Sequence, residues 1–370
     1  MAELEQNVGM DIIEEYRKAL IAACGRGSVE VVKLLLEKGA DVNRGYESHT
    51  PLIIACWNGS LEVIKLLLEY GADVNRIASW GTTPLQAAAG KGSIDIVQLL
   101  LEHGADINYI NTSNDQTLLM EACESNSTEV VKLLLDKSVS NINHINRYGR
   151  TALMIASLNG SSIEIVKLLL DKGADVNIFA HTTGETALII ACSSSSLEIV
   201  KLLLDKGADV NAVDKSGNTA LIGACSQDSI EMVRLLLEKG AQVNAADIYD
   251  RTALTTPCYK GSIEIVRLLL EYGIDINMAG SDGTTALMAA CCNNHIELVE
   301  FLLAQGADVN SVDKHGRTAL LIACLWTASI EVVRLLLQHG AHKNVQSKSK
   351  ETPLIGACER NAVEIVKLFL

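Results

Sequence analysis

The chain has 370 residues, 31 Lys and Arg against 45 Asp and Glu for a formal charge of −14, and 48% hydrophobic but only 4% aromatic residues. That apolar content excludes a disordered chain, and the acidic balance argues against nucleic acid or an anionic membrane as the main partner, because phosphate binding needs clustered Lys and Arg. The longest apolar runs, such as Ala319 to Trp326, fall far short of the ~18 residues that a membrane-spanning helix needs, so no membrane insertion is expected. The opening segment, MAELEQNVGMDIIEEYRK, carries acids where an export signal needs a basic stretch and an apolar core. The expected compartment is the cytoplasm, with the nucleus as the other open one. Residues 1–17 read as an N-terminal cap segment, ahead of an array that occupies 18–370.

From Lys18 onward one pattern recurs. Aligning on the Thr of TPL or TAL gives Thr50, Thr83, Thr117, Thr151, Thr186, Thr219, Thr252, Thr285, Thr318 and Thr352, with Lys18 at the same place in the first unit. The steps are 32 to 35 residues and define eleven units. In each, Thr can cap a first helix of about seven to nine residues, and Pro51, Pro84 and Pro353 fall at the first helical position, where a missing N–H costs nothing. A Gly-Ser break follows, then a second, longer helix of the type EVVKLLLEKG that ends on Gly. In it an acid precedes Lys or Arg by three, as in Glu62 with Lys65 and Glu264 with Arg267, which puts opposite charges on one solvated face. GADVN and the residues after it, rich in Gly, Asp, Asn and Ser, read as a hairpin-like turn. One unit cannot bury its own apolar faces, so neighbours must stack. Thin layers of Ala, Leu, Ile, Val and Cys then fill the core without aromatic anchors.

The segment TPLIIACWNGSLEVIKLLLEYGADVN, Thr50 to Asn75, resembles the ankyrin repeat, and the likeness runs in phase from Lys18 to Leu370. The resemblance implies an all-α repeat solenoid of paired antiparallel helices joined by hairpin-like turns. It also implies a non-catalytic scaffold that binds a protein partner on a concave face of hairpin tips and first helices. The alternative is a targeting or adaptor module of a larger enzyme, a ubiquitin ligase or a channel, with the active part outside this chain. One departure is consistent. The His usual after TPL in the family, which ties adjacent hairpins, is replaced by Ile21, Ile53, Gln86, Met120, Met154, Ile189, Ile222, Thr255, Met288, Leu321 and Ile355. Hairpin rigidity is therefore expected to rely on apolar packing. Similar repeats are hydroxylated at the Asn of GADVN, which makes Asn75 and Asn211 candidates.

Nine of the ten cysteines (Cys24, Cys56, Cys123, Cys192, Cys225, Cys258, Cys291, Cys324 and Cys358) stand six residues after the aligned position, where Ala89 and Ser157 stand in the other two units. A site that accepts Cys, Ala or Ser asks for a small buried side chain, and the reading is reduced core thiols. Repeats stacked at roughly 10 Å hold equivalent cysteines too far apart for a disulfide. Cys292, one residue later, is expected to be exposed and the most reactive. The eight histidines are scattered over turns and helix ends and form no zinc or catalytic motif. Gly90 to Ser93, GKGS, is an inter-helix break without the upstream Gly of a phosphate loop. The sequons at Asn58, Asn111, Asn126 and Asn159 matter only in a secretory pathway that the N-terminus argues against. The expectation is no enzyme, no metal and no cofactor.

By the resemblance, the variable binding positions lie three and one before the aligned Thr and seven and eight after it. At the tips these run from Glu47 and His49 to Ser349 and Glu351. All three tryptophans fall in the set, and Trp, Tyr and Arg dominate binding hot spots. The expected partner-binding residues are Trp57, Trp80, Tyr148, Arg150, Tyr249, Arg251, Tyr259, Cys292, Arg317 and Trp326. They are read as three clusters: Trp57 with Trp80, Tyr148 with Arg150, and Tyr249, Arg251 and Tyr259 with Trp326. Arg150, Arg251 and Arg317 make the tips locally basic, so a monomeric scaffold taking a partner with acidic residues beside apolar anchors is expected. Pro257 falls five residues after Thr252, within the expected first helix, and reads as a local kink or a hinge. Leu368, Phe369 and Leu370 close the chain within a second helix, which reads as a piece of a longer protein or an apolar surface covered by something else.

Overall fold

Threonine starts the helices as expected. In the computed structural model, which describes residues 2–45, 49–137, 141–158, 162–327 and 329–370, the Thr50 side chain accepts the Ile53 N–H at 3.3 Å ahead of the helix Pro51–Asn58. The same bond recurs at Thr117, Thr186, Thr219, Thr285, Thr318 and Thr352, and Pro51, Pro84 and Pro353 sit in the first turn. Second helices such as Leu61–Glu69 end two residues before a glycine: Gly71 takes φ +81°, and the next N–H, of Ala72, reaches back to the Leu67 carbonyl. A left-handed residue there closes the helix without an orphaned carbonyl. Glu47, an expected binding position, and the sequon residue Asn159 lie outside the described residues.

Contacts gather the residues into two compact bodies, Met1–Thr182 and Thr183–Leu370. Each is a series of helix pairs with hairpin-like turns between them. In the first body the helix Ala2–Arg26 passes Lys18 without a break, so the expected cap segment is the N-terminal part of the first repeat's own helix. One short antiparallel ladder pairs Ile110–Asn111 with Gln116–Thr117. In the second body the hairpins are marked by single bridges, Val213 with Thr219 and Ala246 with Thr252. The core is aliphatic: Val63, Ile64 and Leu67 of one second helix and Val299 and Leu302 of another are fully buried.

Hydrogen bonds tie the hairpins, which corrects the expectation that apolar packing would carry them. In the second body Lys215, Ile248, Ser281 and Lys314 each donate a backbone N–H to the preceding hairpin, at 2.7–2.9 Å, onto Thr183, Ser216, Tyr249 and Asp282. The Asn of GADVN adds a second rung. Asn75 donates Nδ2–H to the Gly104 carbonyl at 3.0 Å and accepts the Asp106 N–H at 2.8 Å, and Asn43, Asn211, Asn244 and Asn310 repeat the pair. Among the residues that replace the family's His, Gln86 both completes a capping box with Thr83 and donates to the Gln116 carbonyl of the next hairpin at 3.2 Å.

The unit that contains Pro257 departs from the pattern. Around Pro257 the helix starts two residues late: Thr255–Lys260 is helical, Leu254 N–H donates to the Thr252 hydroxyl, and the Thr255 hydroxyl accepts the Thr252 N–H. Pro257 thereby stands in a first turn, where no N–H is required, and not in a helix interior. The Glu62–Lys65 pair forms at 2.9 Å, whereas Arg267 lies over the Phe301 ring, 4.4 Å from its centroid.

All ten cysteines are free, and eight are buried in the column as expected. Burial pushes the Cys24, Cys192 and Cys324 thiols up to about 12 and also raises those of Cys56, Cys123, Cys225, Cys258 and Cys291. Cys358 breaks the rule and is exposed; Cys292, expected to be the exposed one, is half-buried. In Cys292, burial raises the thiol and the Arg317 charge opposes it. Timed alkylation of the native protein with mass mapping should label Cys358 first and Cys292 second, and the eight core thiols only on unfolding. The ladder gives a second expectation. Asn75→Ala removes both rungs, at about 1 kcal/mol per net hydrogen bond, and should speed amide exchange at Asp106 while leaving the second body unchanged.

Candidate functional site

Two hairpin tips in the second body, at Asp247 and Asp313, are built on a buried acid. Asp247 Oδ1 accepts the N–H groups of Tyr249 and Arg251, both at 2.9 Å, an Asx-type turn that fixes the tip. Its Oδ2 accepts Arg251 Nε at 2.8 Å and Nη2 at 2.7 Å. The acid is 2% exposed and the guanidinium side chain 55%, so the cation faces water and the anion does not. Burial works to raise the Asp247 carboxyl, but the Arg251 side chain and the two backbone donors outweigh it and hold the group below the usual carboxylate range. The guanidinium also lies 5.1 Å from the centre of the Tyr249 ring.

Two repeats on, the arrangement recurs. Asp313 Oδ1 accepts the His315 and Arg317 N–H groups at 2.8 Å, Oδ2 takes Arg317 Nε at 2.7 Å and Nη2 at 2.6 Å, and the acid is again 2% exposed. Here the ring over the guanidinium, at 4.8 Å, belongs to Trp326. Between these two tips the intervening hairpin has Gly280 in place of the acid and Thr284 in place of the arginine. Burial works to raise its Asp282 carboxyl, but the Thr284 donors and the neighbouring Lys314 charge hold it below the usual range.

The helix that carries Trp326 is abnormal. From Thr285 to Ile296 there are 11 steps along the chain, but from Thr318 to Ile330 there are 12. The extra residue is absorbed inside the helix: after Ala319–Ile322 the turn Ala323–Thr327 widens to a π-helix. Such turns are rare and concentrate at functional sites. The bulge is accommodated by the next unit, where Gly356 stands at a position held elsewhere by Ile54 or Ile190: a Cβ on Gly356 would come within 3.1 Å of the Leu325 side chain.

These elements enclose an open cleft of about 530 Å³. Met288, Ala289 and Ile322 from two first helices form its floor, Tyr249, Tyr259 and Trp326 its aromatic walls, and Arg251, Lys314 and Arg317 its cationic rim; Cys292 also lines it. Six of the ten residues singled out from the sequence, Tyr249, Arg251, Tyr259, Cys292, Arg317 and Trp326, therefore converge. The floor and Lys314 were missed, since they lie three or four residues after the aligned Thr or one residue ahead of the variable tip positions.

The remaining four lie in the first body and do not gather in the same way. Trp57 meets the edge of the His49 ring at 4.9 Å, and among the described residues no ring contact joins it to Trp80. Trp80 and Tyr148 are exposed. At the Tyr148 tip Asn146 replaces the acid: it accepts the Tyr148 and Arg150 N–H groups at 3.0 and 2.9 Å, so the turn survives, but it offers the guanidinium no charge. Among the described residues Arg150 has no ion pair and no ring contact.

The first body instead holds Glu121 at the position where Ile54, Ala87 and Ile155 face the neighbouring first helix. Burial, with Glu124 adding to it, raises this carboxyl to about 7, and Gly90 leaves it room: its Oε2 lies 3.5 Å from where a Cβ would be. A group whose folded value is raised keeps its proton in the native state while the unfolded chain, near 4.5, has lost it. Stability therefore falls as pH rises from about 4.5 to about 7 and then levels. Glu121→Gln should raise the urea midpoint of the first body at pH 8 and leave it unchanged near pH 4; equal shifts at both values would reject the assignment.

No described helix is long and apolar enough to cross a membrane, and no group of three or more described His, Cys, Asp or Glu side chains is placed to hold a metal ion. A search of curated proteins finds no match. The family model described as ankyrin repeats (3 copies) matches residues 3–78, 85–180, 138–214, 179–247, 211–280, 244–313, 278–347 and 299–370, and a second, ankyrin repeats (many copies), matches 60–101. With helix pairs, capped threonines and hydrogen-bonded hairpins in phase with those matches, the chain belongs to the ankyrin-repeat family.

Proposed function

We propose that this chain is a non-catalytic, monomeric protein-binding scaffold, and that the cleft of the second body is where it takes a partner segment bearing acidic residues beside apolar anchors. Ankyrin repeats in general are protein-interaction modules. The observation that carries the assignment is the pair of stacked cations: Arg251 and Arg317 each have a buried counter-ion behind them and an aromatic ring beside them. A cation held in this way has lost its rotamer freedom before binding, so less entropy is lost when a ligand arrives. The rings supply apolar area at the same spot, in a chain whose core needs none of them. The thiols that pack the first helices must stay reduced to fit, which supports a cytosolic setting.

The test is differential. Trp326→Ala and Tyr259→Ala should each weaken a partner isolated with the wild-type chain, by roughly 30-fold for a hot-spot residue worth about 2 kcal/mol, with the helical circular-dichroism signal retained. Trp80→Ala, in the first body, should leave that partner's affinity within about twofold. The reverse ranking would place the docking surface in the first body and refute the assignment.

A further inference from the structure

We propose that the cleft reads an extended peptide in a fixed register: two carboxylate side chains six residues apart, with apolar side chains between them seated on Met288, Ala289 and Ile322. The inference rests on the reading of the cleft as a protein-binding site and adds the identity of what fills it.

The spacing of the two cations sets the length of the ligand. Arg251 and Arg317 occupy equivalent positions two repeats apart and line one cleft. Packed helices stand 8–10 Å apart, so two repeat steps separate the guanidinium groups by roughly 16–20 Å. One phosphate or one carboxylate cannot bridge that distance. An extended chain rises about 3.3 Å per residue, so five or six residues span it. Side chains alternate along such a chain, and two that face the same wall must be an even number apart, which selects six. On that same face fall the side chains two and four residues after the first acid. They meet the middle of the cleft, where Lys314 and Asp282 offset one another and the floor is apolar. The chemistry needed there is a pair of aliphatic side chains.

The tip between the two arginine tips keeps the path of an extended chain open. An acid or arginine at Gly280 or Thr284 would place a third large group over the middle of the path.

The Asp–Arg pairs also staple their own hairpins, and a staple alone would explain the buried acids. It does not explain the ring on the open face of each guanidinium, nor the π-helical turn at Trp326. The Asn146 tip shows that the turn forms without the ion pair.

The probe is a fluorescein-labelled synthetic peptide with two aspartates separated by alternating alanine and leucine, read by fluorescence anisotropy on the full chain. Four peptides place the aspartates two, four, six or eight residues apart at constant composition. The six-residue spacing should bind at least tenfold more tightly than the others, and replacing either aspartate by asparagine should cancel most of that preference. Arg251→Gln should abolish the effect of one aspartate and Arg317→Gln that of the other. Because either variant leaves a buried acid unpaired, the spacing series on the wild-type chain decides by itself. Equal affinity at every spacing, with Trp326→Ala still weakening all four, would overturn the register and keep the binding site. Failure of all four peptides to bind would overturn the acidic-segment reading of the cleft as well. Tighter binding by a dT oligonucleotide than by the six-spaced peptide would overturn the peptide assignment in favour of a nucleic acid.

Discussion

A buried acid bonded to two backbone N–H groups is the interaction on which the rest of the second body's surface depends. At Asp247 and Asp313 one carboxylate oxygen closes the hairpin tip and the other fixes an arginine. Backbone geometry and side-chain electrostatics are thereby coupled in one group. The tip cannot move without shifting the guanidinium, and the guanidinium cannot swing away without leaving a carboxylate unpaired at 2% exposure. Where the acid becomes Asn146, the turn persists and the coupling is gone. A single atom, nitrogen for oxygen, separates a tip that presents a fixed cation from one that does not.

The helices make this arrangement possible by needing little from large residues. A column of cysteines, with Ala89 and Ser157 at the same depth, lets first helices pack closely, and the aliphatic second helices complete each layer. Rings would be too large for such layers. Phe301 shows where an aromatic goes when it occurs on a second helix: to the edge, under the Arg267 guanidinium. With the core closed to them, the tryptophans and most tyrosines are left to the surface, and in the second body three of them meet around one cleft.

Much of this was legible in the sequence because it is set by local chemistry repeated eleven times. Thr before a helix, Gly after one and Cys inside one each have a short-range cause, so spacing reveals them. The Tyr249, Arg251, Tyr259 and Trp326 cluster was legible for the same reason, as repeat positions convert directly into neighbours. What escaped had causes outside the repeat. The Asn rungs need the distance between successive turns, which no single unit contains. Pro257 was placed by counting from Thr252, but the chain met the missing N–H by starting the helix later. The extra residue before Ile330 can be counted, yet its fate as a π-turn, with Gly356 of the next unit against Leu325, is set by packing between units and not by the count. Cys358 shares its motif with the buried thiols and is nonetheless exposed, which the motif does not record.

The charge of the chain and the charge of the cleft act over different ranges, and this separates selection from attraction. At −14 the molecule repels an acidic partner at a distance. At physiological ionic strength that repulsion fades within about 8 Å, the Debye length. Inside that range the partner meets the exposed Arg251 side chain and the part of Arg317, 24% exposed, that Asp313 and Trp326 leave open; their counter-ions are buried and already engaged by backbone donors. Charge steering therefore contributes nothing to encounter, and a loosely acidic polymer gains little from the surface as a whole. What remains favourable is local, requiring a carboxylate within hydrogen-bond reach of a guanidinium and an apolar side chain against Met288 and Ile322 together. A scaffold built in this way discriminates by fit and not by net charge, because its field and its site have opposite signs.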